Sequence, residues 1–316
     1  MRLGAGIDLS ALAARPMSSL WNYDLTQGTL PAVLSVARAS AGTFVNSAGI
    51  IAVAAADEAR FDYDPLTLVC AGLLIEPQRT NLIAYSGGGS TGWSATNGTK
   101  SNASISLPDG GTGGIRLTEN ASNAVHNLTT SNANISTSGV RYACSIFGFA
   151  DQRNIATIRG IGLGANGVLA NVLTGYSEST GAGTYPVYGA QRRADGWCRG
   201  YGVGTATSTG TALFGMAAAT GGTAAYAGDG TSGMFFWGAQ QEAIPSGEPD
   251  CPTSYISTAA GVSQTRDADV VTVLDTSRQY SITYEPLAGG SLQTITVAAG
   301  QQPPAIYGRW REIRQL

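Results

Sequence analysis

Short runs rich in Val, Ile, Thr, Tyr and Phe recur along the chain, separated by clusters of Gly, Ser, Asn and Thr. Runs of this kind read as half-buried strands, whose side chains alternate between two faces. They predict strands at 34–38, 139–149, 154–159, 197–203, 210–217, 233–238 and 270–274. Turn formers such as Pro108-Asp109-Gly110-Gly111 and Gly228-Asp229-Gly230 punctuate them, because glycine adopts positive φ cheaply. Short strands about 8–12 residues apart are the signature of a sandwich or barrel. Helical signals are few. Residues 10–15 could form a turn or two between Ser10 as cap and Pro16 as stop, and the alanine-rich stretch 52–59 reads as a loop between hairpins. The prediction is an all-β protein.

Composition divides the chain further. Residues 1–20 form a short segment with no core of its own, and 21–87 a more acidic, β-rich unit. The run Ser86-Gly87-Gly88-Gly89-Ser90 marks a hinge or loop. Residues 88–271 are rich in Gly, Ala and Thr and poor in charge, as a many-stranded antiparallel sandwich would be. In 272–316, strands at 280–285 and 292–297 flank Ala288-Gly289-Gly290 and predict a hairpin, followed by a basic tail.

Charge and cysteine content narrow the function. Charged residues make up only 12% of the 316, hydrophobic residues 43%, and 43 positions are glycine. A chain this apolar can bury a core, which excludes disorder by composition. A net charge of −3 offers no basic surface for nucleic acid. No apolar run approaches the ~20 residues of a membrane-spanning helix. The first residues lack the continuous apolar centre of a secretion signal, so a soluble, unexported chain is expected, or one released by lysis. Cys70, Cys144, Cys198 and Cys251 are too far apart for a zinc or redox motif and read as buried thiols, with a disulfide as the alternative.

Motifs that could carry chemistry are weak. Gly162-Leu163-Gly164-Ala165-Asn166-Gly167 matches a dinucleotide fingerprint, but the following segment is too short for the required helix, and a loop is expected. His126, the only histidine, has no nucleophile motif near it and reads as a solvated or edge-strand residue. Asp62-Tyr63-Asp64-Pro65 admits calcium ligation, catalysis or turn chemistry, of which turn chemistry is the simplest. Phe61 and Tyr63 should share one side of that segment, with the charges on the other. No cofactor is expected, a structural calcium ion being the one open alternative. The Asn-x-Ser/Thr triplets, Asn97 to Asn134, are what chance yields in so polar a segment. Glu76 and Arg79 read as a structural anchor, with the arginine fork holding a carboxylate. Trp197 and Trp237 lie in apolar strands and should pack in the core. Tyr176, Tyr185 and Tyr188 sit among Gly, Ser and Thr and are the candidates for exposed rings on which a sugar could stack.

Several phrases recur together in a known order. They are Val36-Ala37-Arg38-Ala39-Ser40, Arg60-Phe61-Asp62-Tyr63-Asp64-Pro65, Gly72-Leu73-Leu74-Ile75-Glu76-Pro77-Gln78-Arg79-Thr80-Asn81-Leu82, Asp195-Gly196-Trp197-Cys198-Arg199, Trp237-Gly238-Ala239-Gln240-Gln241-Glu242, Pro252-Thr253-Ser254-Tyr255-Ile256 and Arg266-Asp267-Ala268-Asp269. Over about residues 20–271 the chain resembles tailed-bacteriophage virion proteins of the tail-fibre or head-fibre type, which contain a carbohydrate-binding-module-like jelly roll. Cys198 departs from the aromatic or aliphatic residue more usual there.

The resemblance implies a jelly-roll sandwich, localisation in the virion, other virion proteins as partners, commonly a homotrimer, and attachment to the host surface without catalysis. A host-surface glycan is the further partner expected, at Tyr176, Tyr185 and Tyr188. Leu3, Ile7, Leu9 and Leu12, outside the resemblance, are the candidate virion anchor, because such a segment gains order only by docking. The alternatives are a free carbohydrate-binding protein and a polysaccharide-degrading enzyme.

Overall fold

The computed structural model describes residues 20–131, 135–159, 167–180, 184–219, 224–258 and 261–316. The anchor candidates Leu3, Ile7, Leu9 and Leu12, the 10–15 turn and most of the 162–167 loop lie outside these residues. Among the described residues the structure is all-β, with one 3-10 turn at Leu25–Gln27 and no helix long and apolar enough to cross a membrane.

Two antiparallel sheets form a sandwich. One runs in the order Val187–Arg192, Cys198–Thr205, Arg141–Ala150, Gly233–Ala243, Thr112–Glu119, Gly98–Ser106. The other runs Ser177–Ser179, Gly167–Asn171, Ile155–Arg159, Leu213–Ala217, Asn123–Thr130, Ala225–Ala227, and Trp93–Thr96 also pairs with Asn123–Thr130. Starting at Thr112–Glu119, the chain crosses repeatedly between sheets, so that this first strand lies beside the last, Gly233–Ala243. The strand that follows it, Asn123–Thr130, lies beside the penultimate long one, Leu213–Ala217. That nesting of early against late strands is a jelly roll. Ile115, Leu117, Leu128, Ile146, Ile158, Val168, Phe214, Met216 and Phe236 fill the space between the sheets.

The strands Arg141–Ala150 and Gly233–Ala243 are buried on both faces. Tyr142, Cys144 and Ile146 point into the sandwich core. On the other face Phe147 joins Ile51, Leu107, Trp197, Trp237 and Tyr255 in a separate aromatic cluster. The two tryptophans therefore pack as expected, but outside the sandwich. A further layer covers this face, which explains why these strands read as nearly continuous apolar runs.

Part of that layer is a 6-stranded sheet built from both ends of the chain, in the order Gln293–Val297, Tyr280–Pro286, Gly308–Gln315, Cys70–Ile75, Phe61–Tyr63, with Asn22–Asp24 paired to Gly308–Gln315. The expected C-terminal hairpin is present. Segments 21–87 and 272–316, which composition separates, share this sheet and one core that includes Leu73, Ile75, Tyr280, Ile282, Trp310 and Ile313. Gly72, at φ +118, permits the pairing: a Cβ there would lie 2.2 Å from the carbonyl oxygen of Trp310. Cys70, Cys144, Cys198 and Cys251 are all buried free thiols.

A buried charge cluster ties this layer together. One Glu76 carboxylate oxygen accepts from Arg60 Nη1 and Ser254 Oγ, both at 2.7 Å, and from Arg266; the other accepts from the Ser254 amide at 2.6 Å. Asp269 accepts from Arg38 at 2.9 Å, from Arg60 at 2.5 Å and from the Glu76 amide at 2.8 Å. None of these five charged side chains is more than 2% exposed. Burial by itself would raise the Glu76 pKa, but the Arg266 and Arg60 charges and the Ser254 bonds overcome it and lower it from 4.5 to about 2. Glu76 is thus the structural anchor expected, although its partners are Arg60 and Arg266, while Arg79 pairs with Glu248.

Removing one member of such a cluster strands the others as uncompensated buried charge. Glu76→Gln should cost about 3–5 kcal/mol in denaturant unfolding. A carboxylate with a depressed native pKa contributes stability above its unfolded value of 4.5 and loses it as pH falls toward about 2. The wild type should therefore lose stability across that window and the variant much less; parallel pH profiles for the two would contradict the assignment.

Candidate binding groove

The strand Cys198–Thr205 alternates strictly. Cys198, Gly200 and Gly202 face the sandwich core, and Arg199, Tyr201 and Val203 face outward. Register then sets their neighbours: Arg199 lies between Phe147 and Gln191, and Tyr201 between Ser145 and Gly189. This face is the floor of an open groove of about 430 Å³, whose opposite wall carries Asp62, Arg309 and the turn at 287–289.

Arg199 is a buried cation of the groove without a carboxylate partner among the described residues. Its Nε and Nη2 donate to Ser145 Oγ at 3.2 and 3.0 Å, its Nη1 donates to the Thr253 carbonyl at 2.8 Å, and its guanidinium lies 5.5 Å from the centre of the Phe147 ring. Desolvation lowers its pKa, against the pull of Glu242 and Glu76 farther off. Tyr201 lies against Gly189, where a Cβ would come within 2.5 Å of its hydroxyl. Burial raises the pKa of its phenol. Among the described residues neither the Tyr201 hydroxyl nor the Gln191 side chain has a hydrogen-bond partner within the chain.

The groove's other charges are paired. Arg309 donates to Asp62 at 2.8 Å, Asp62 also accepts from the Val45 amide at 2.8 Å, and Arg193 holds Asp195 at 2.9 Å. The 251–256 segment closes one end of the groove. Gln240 accepts from the Ile256 amide at 2.7 Å, and Glu242 accepts from the Thr253 amide at 2.9 Å and from its hydroxyl. Ser254, next in the chain, belongs to the Glu76 cluster, so cluster and groove share one segment.

Other expectations fare unevenly. Burial alternates over Phe61–Tyr63, as an extended segment requires: Asp62 is buried, held by the Val45 amide and Arg309, and Phe61 and Tyr63 are half-buried. Asp64 does perform turn chemistry, accepting from the amides of Leu66 at 3.0 Å and Thr67 at 2.7 Å. His126 is buried rather than solvated; its ring nitrogens lie 2.6 Å from the Asn97 carbonyl oxygen and 3.3 Å from that of Tyr226, whose ring packs against it. Of the three tyrosines singled out, Tyr176 and Tyr188 are 53% and 41% exposed, but Tyr185 is 1% exposed. Tyr185 fills the space left open by Gly202 in the sandwich core, so its ring has no free face. The exposed pair lies at the sandwich edge, outside the groove, where the Tyr176 hydroxyl donates to Glu178 at 3.2 Å.

Sequence reasoning missed Arg199, Tyr201 and Gln191. The one usable signal was alternation, with Cys198, Gly200 and Gly202 as small core-facing residues that leave Arg199 and Tyr201 on the other side. Among the described residues no group of three or more His, Cys, Asp or Glu side chains is placed to hold a metal ion.

No family model matches the chain, and no curated protein matches it significantly. Solved structures similar to it include the xylan-binding CBM22-1 domain of Paenibacillus barcinonensis Xyn10C, at 11% identity over 53% of this chain and 94% of that one, with a TM-score of 0.32. The CBM22-1–CBM22-2 tandem of the same protein matches at 10% identity over 76% and 90%, with a TM-score of 0.32. The CBM22-1–GH10 modules of the Clostridium thermocellum xylanase Xyn10B, complexed with xylohexaose, match at 14% identity over 58% and 30%, with a TM-score of 0.30. The jelly-roll assignment rests on the strand order itself.

Gly189 tests the geometry of the groove floor. In Gly189→Ala the new methyl collides with the Tyr201 ring end, a flexible group that can turn aside, so the stability loss should stay below about 1.5 kcal/mol. The aromatic NMR signals of Tyr201 should shift while those of Tyr176 stay in place. Unmoved Tyr201 signals would show that the ring does not lie over Gly189.

Proposed function

We propose that this protein is a non-catalytic glycan-binding protein that takes a saccharide into the groove between its jelly roll and the layer built from both chain ends. The observation that carries this reading is the unpartnered Tyr201 hydroxyl and Gln191 amide beside the buried Arg199 guanidinium. An aromatic ring and a sugar face desolvate together, and a few fixed polar groups then orient the hydroxyls. A volume of about 430 Å³ lies in the range of small-molecule sites.

The carboxylates at the groove favour binding over hydrolysis. Glycosidases need a carboxylic acid that stays protonated until it is used. Glu76 is held ionised by Arg266 and Arg60, Asp62 is tied to Arg309, and Glu285 pairs with Arg311 at 2.9 Å. Tyr176 and Tyr188 supply a second, exposed contact at the sandwich edge. In binding assays with a panel of soluble oligosaccharides, Tyr201→Ala and Gln191→Ala should each weaken the best ligand roughly tenfold, and Tyr176→Ala and Tyr188→Ala should do less. The reverse ranking would move the site to the edge, and a panel without any ligand would overturn the reading.

The virion setting implied by the sequence phrases belongs to the same proposal: a particle component whose copies meet a host glycan, with residues 1–20 as the anchor. Its structural support is apolar surface at Val270, Leu274 and Leu292, each more than half exposed, which a neighbouring copy would cover. Repeated copies on one particle would strengthen weak single contacts. Sedimentation at micromolar concentration should give a trimer of the 32.3 kDa chain, and a clean monomer would remove the homotrimer from the proposal.

A further inference from the structure

Arg199 stands apart from the other buried arginines around the groove. Arg60 and Arg266 share Glu76, and Arg38 and Arg60 share Asp269. Arg193 has Asp195 and Arg309 has Asp62. Arg199, 9% exposed, makes no ion pair among the described residues and donates only to neutral oxygens, those of Ser145 and Thr253. The nearby Glu242 does not answer it directly, since its two oxygens are taken by the Thr253 amide and hydroxyl.

The charges that line the groove balance in number, Asp62, Glu76 and Glu285 against Arg193, Arg199 and Arg309, but Arg199 is the one of these arginines without a carboxylate partner among the described residues. A guanidinium has five N–H groups. Three of them serve Ser145 and Thr253, so one N–H on each terminal nitrogen is left without a partner. Two such donors on one planar group match the two oxygens of a carboxylate. A buried, half-satisfied cation carries a desolvation cost that an arriving anion would offset.

Resting on the glycan-binding reading above, we propose that the groove selects acidic saccharides: Arg199 receives the sugar carboxylate in a bidentate pair, while Tyr201 and Gln191 contact the ring and its hydroxyls. The three groups share one face of adjacent strands, in neighbouring register positions. A neutral sugar would leave the spare Arg199 donors unanswered in a desolvated site.

The test changes the ligand before the protein. Calorimetry on the full chain would compare trigalacturonate, a glucuronate-terminated trisaccharide and sialyllactose, each as free acid and as methyl ester, with xylotriose and lactose as neutral sugars and triglutamate as a carboxylate without a sugar. At least one free acid should bind ten times or more tighter than its own ester. Arg199→Gln should abolish that preference, whereas Tyr201→Phe should keep it at weaker affinity. The ester comparison needs no variant, so it decides the matter even if Arg199→Gln fails to fold. Equal binding of acids, esters and neutral sugars would overturn the acidic selectivity and leave glycan binding standing. Triglutamate binding as tightly as the best acid would overturn the saccharide part, and no binding by any probe would overturn both readings.

Discussion

A single carboxylate, Glu76, sits where the chain's distant parts must meet. Arg60, Arg266 and Ser254 converge on it, and its own amide donates to Asp269, which in turn holds Arg38. These residues come from both sides of the sandwich in the sequence. Five buried charges are expensive to desolvate, and only near-complete pairing offsets the cost. The cluster is thus a strict condition on how the first 80 or so residues and the stretch from Ser254 onward pack together. A misregistered strand on either side would strand a charge.

The groove is a consequence of that arrangement. Ser254 belongs to the charge cluster, and Thr253 to the outer face of the jelly roll through Glu242 and Arg199. One dipeptide thereby spaces the two layers. Beside it, Trp197, Trp237, Phe147 and Tyr255 seal the contact with apolar surface. Where the seal ends, Arg199, Tyr201 and Gln191 remain on an open face. The same sheet supplies the sandwich core from its other side, so the floor of the groove is fixed by packing rather than carried on loops.

Much of the fold was legible because period-two strands and glycine-rich turns are local signals. The strands around 141–150, 198–205 and 213–217 lie close to where the apolar runs put them. The sheet shared by Cys70–Ile75 and Gly308–Gln315 was not legible: its partners are more than 200 residues apart, and no local pattern encodes such a pairing. Tyr185 failed for a related reason. Its polar neighbours suggested exposure, but Gly202, on a strand beyond the next turn, leaves the space its ring fills. Asp62 reads in the sequence only as one of two nearby carboxylates, because its partner Arg309 lies at the far end of the chain, beyond any local pattern. The phrases behind the virion resemblance have a physical role too. Arg38, Arg60, Glu76, Ser254, Arg266 and Asp269 all belong to them and all meet in the charge cluster, so the resemblance speaks first to how the layers are joined.

The central claim is that the ligand enters between the joined layers rather than at the sandwich edge. Hydrogen–deuterium exchange with and without a saturating oligosaccharide tests it directly. The account predicts added protection in 187–203 and 251–256 together, the two segments that meet at Arg199. Protection confined to 173–180, around Tyr176, would contradict it.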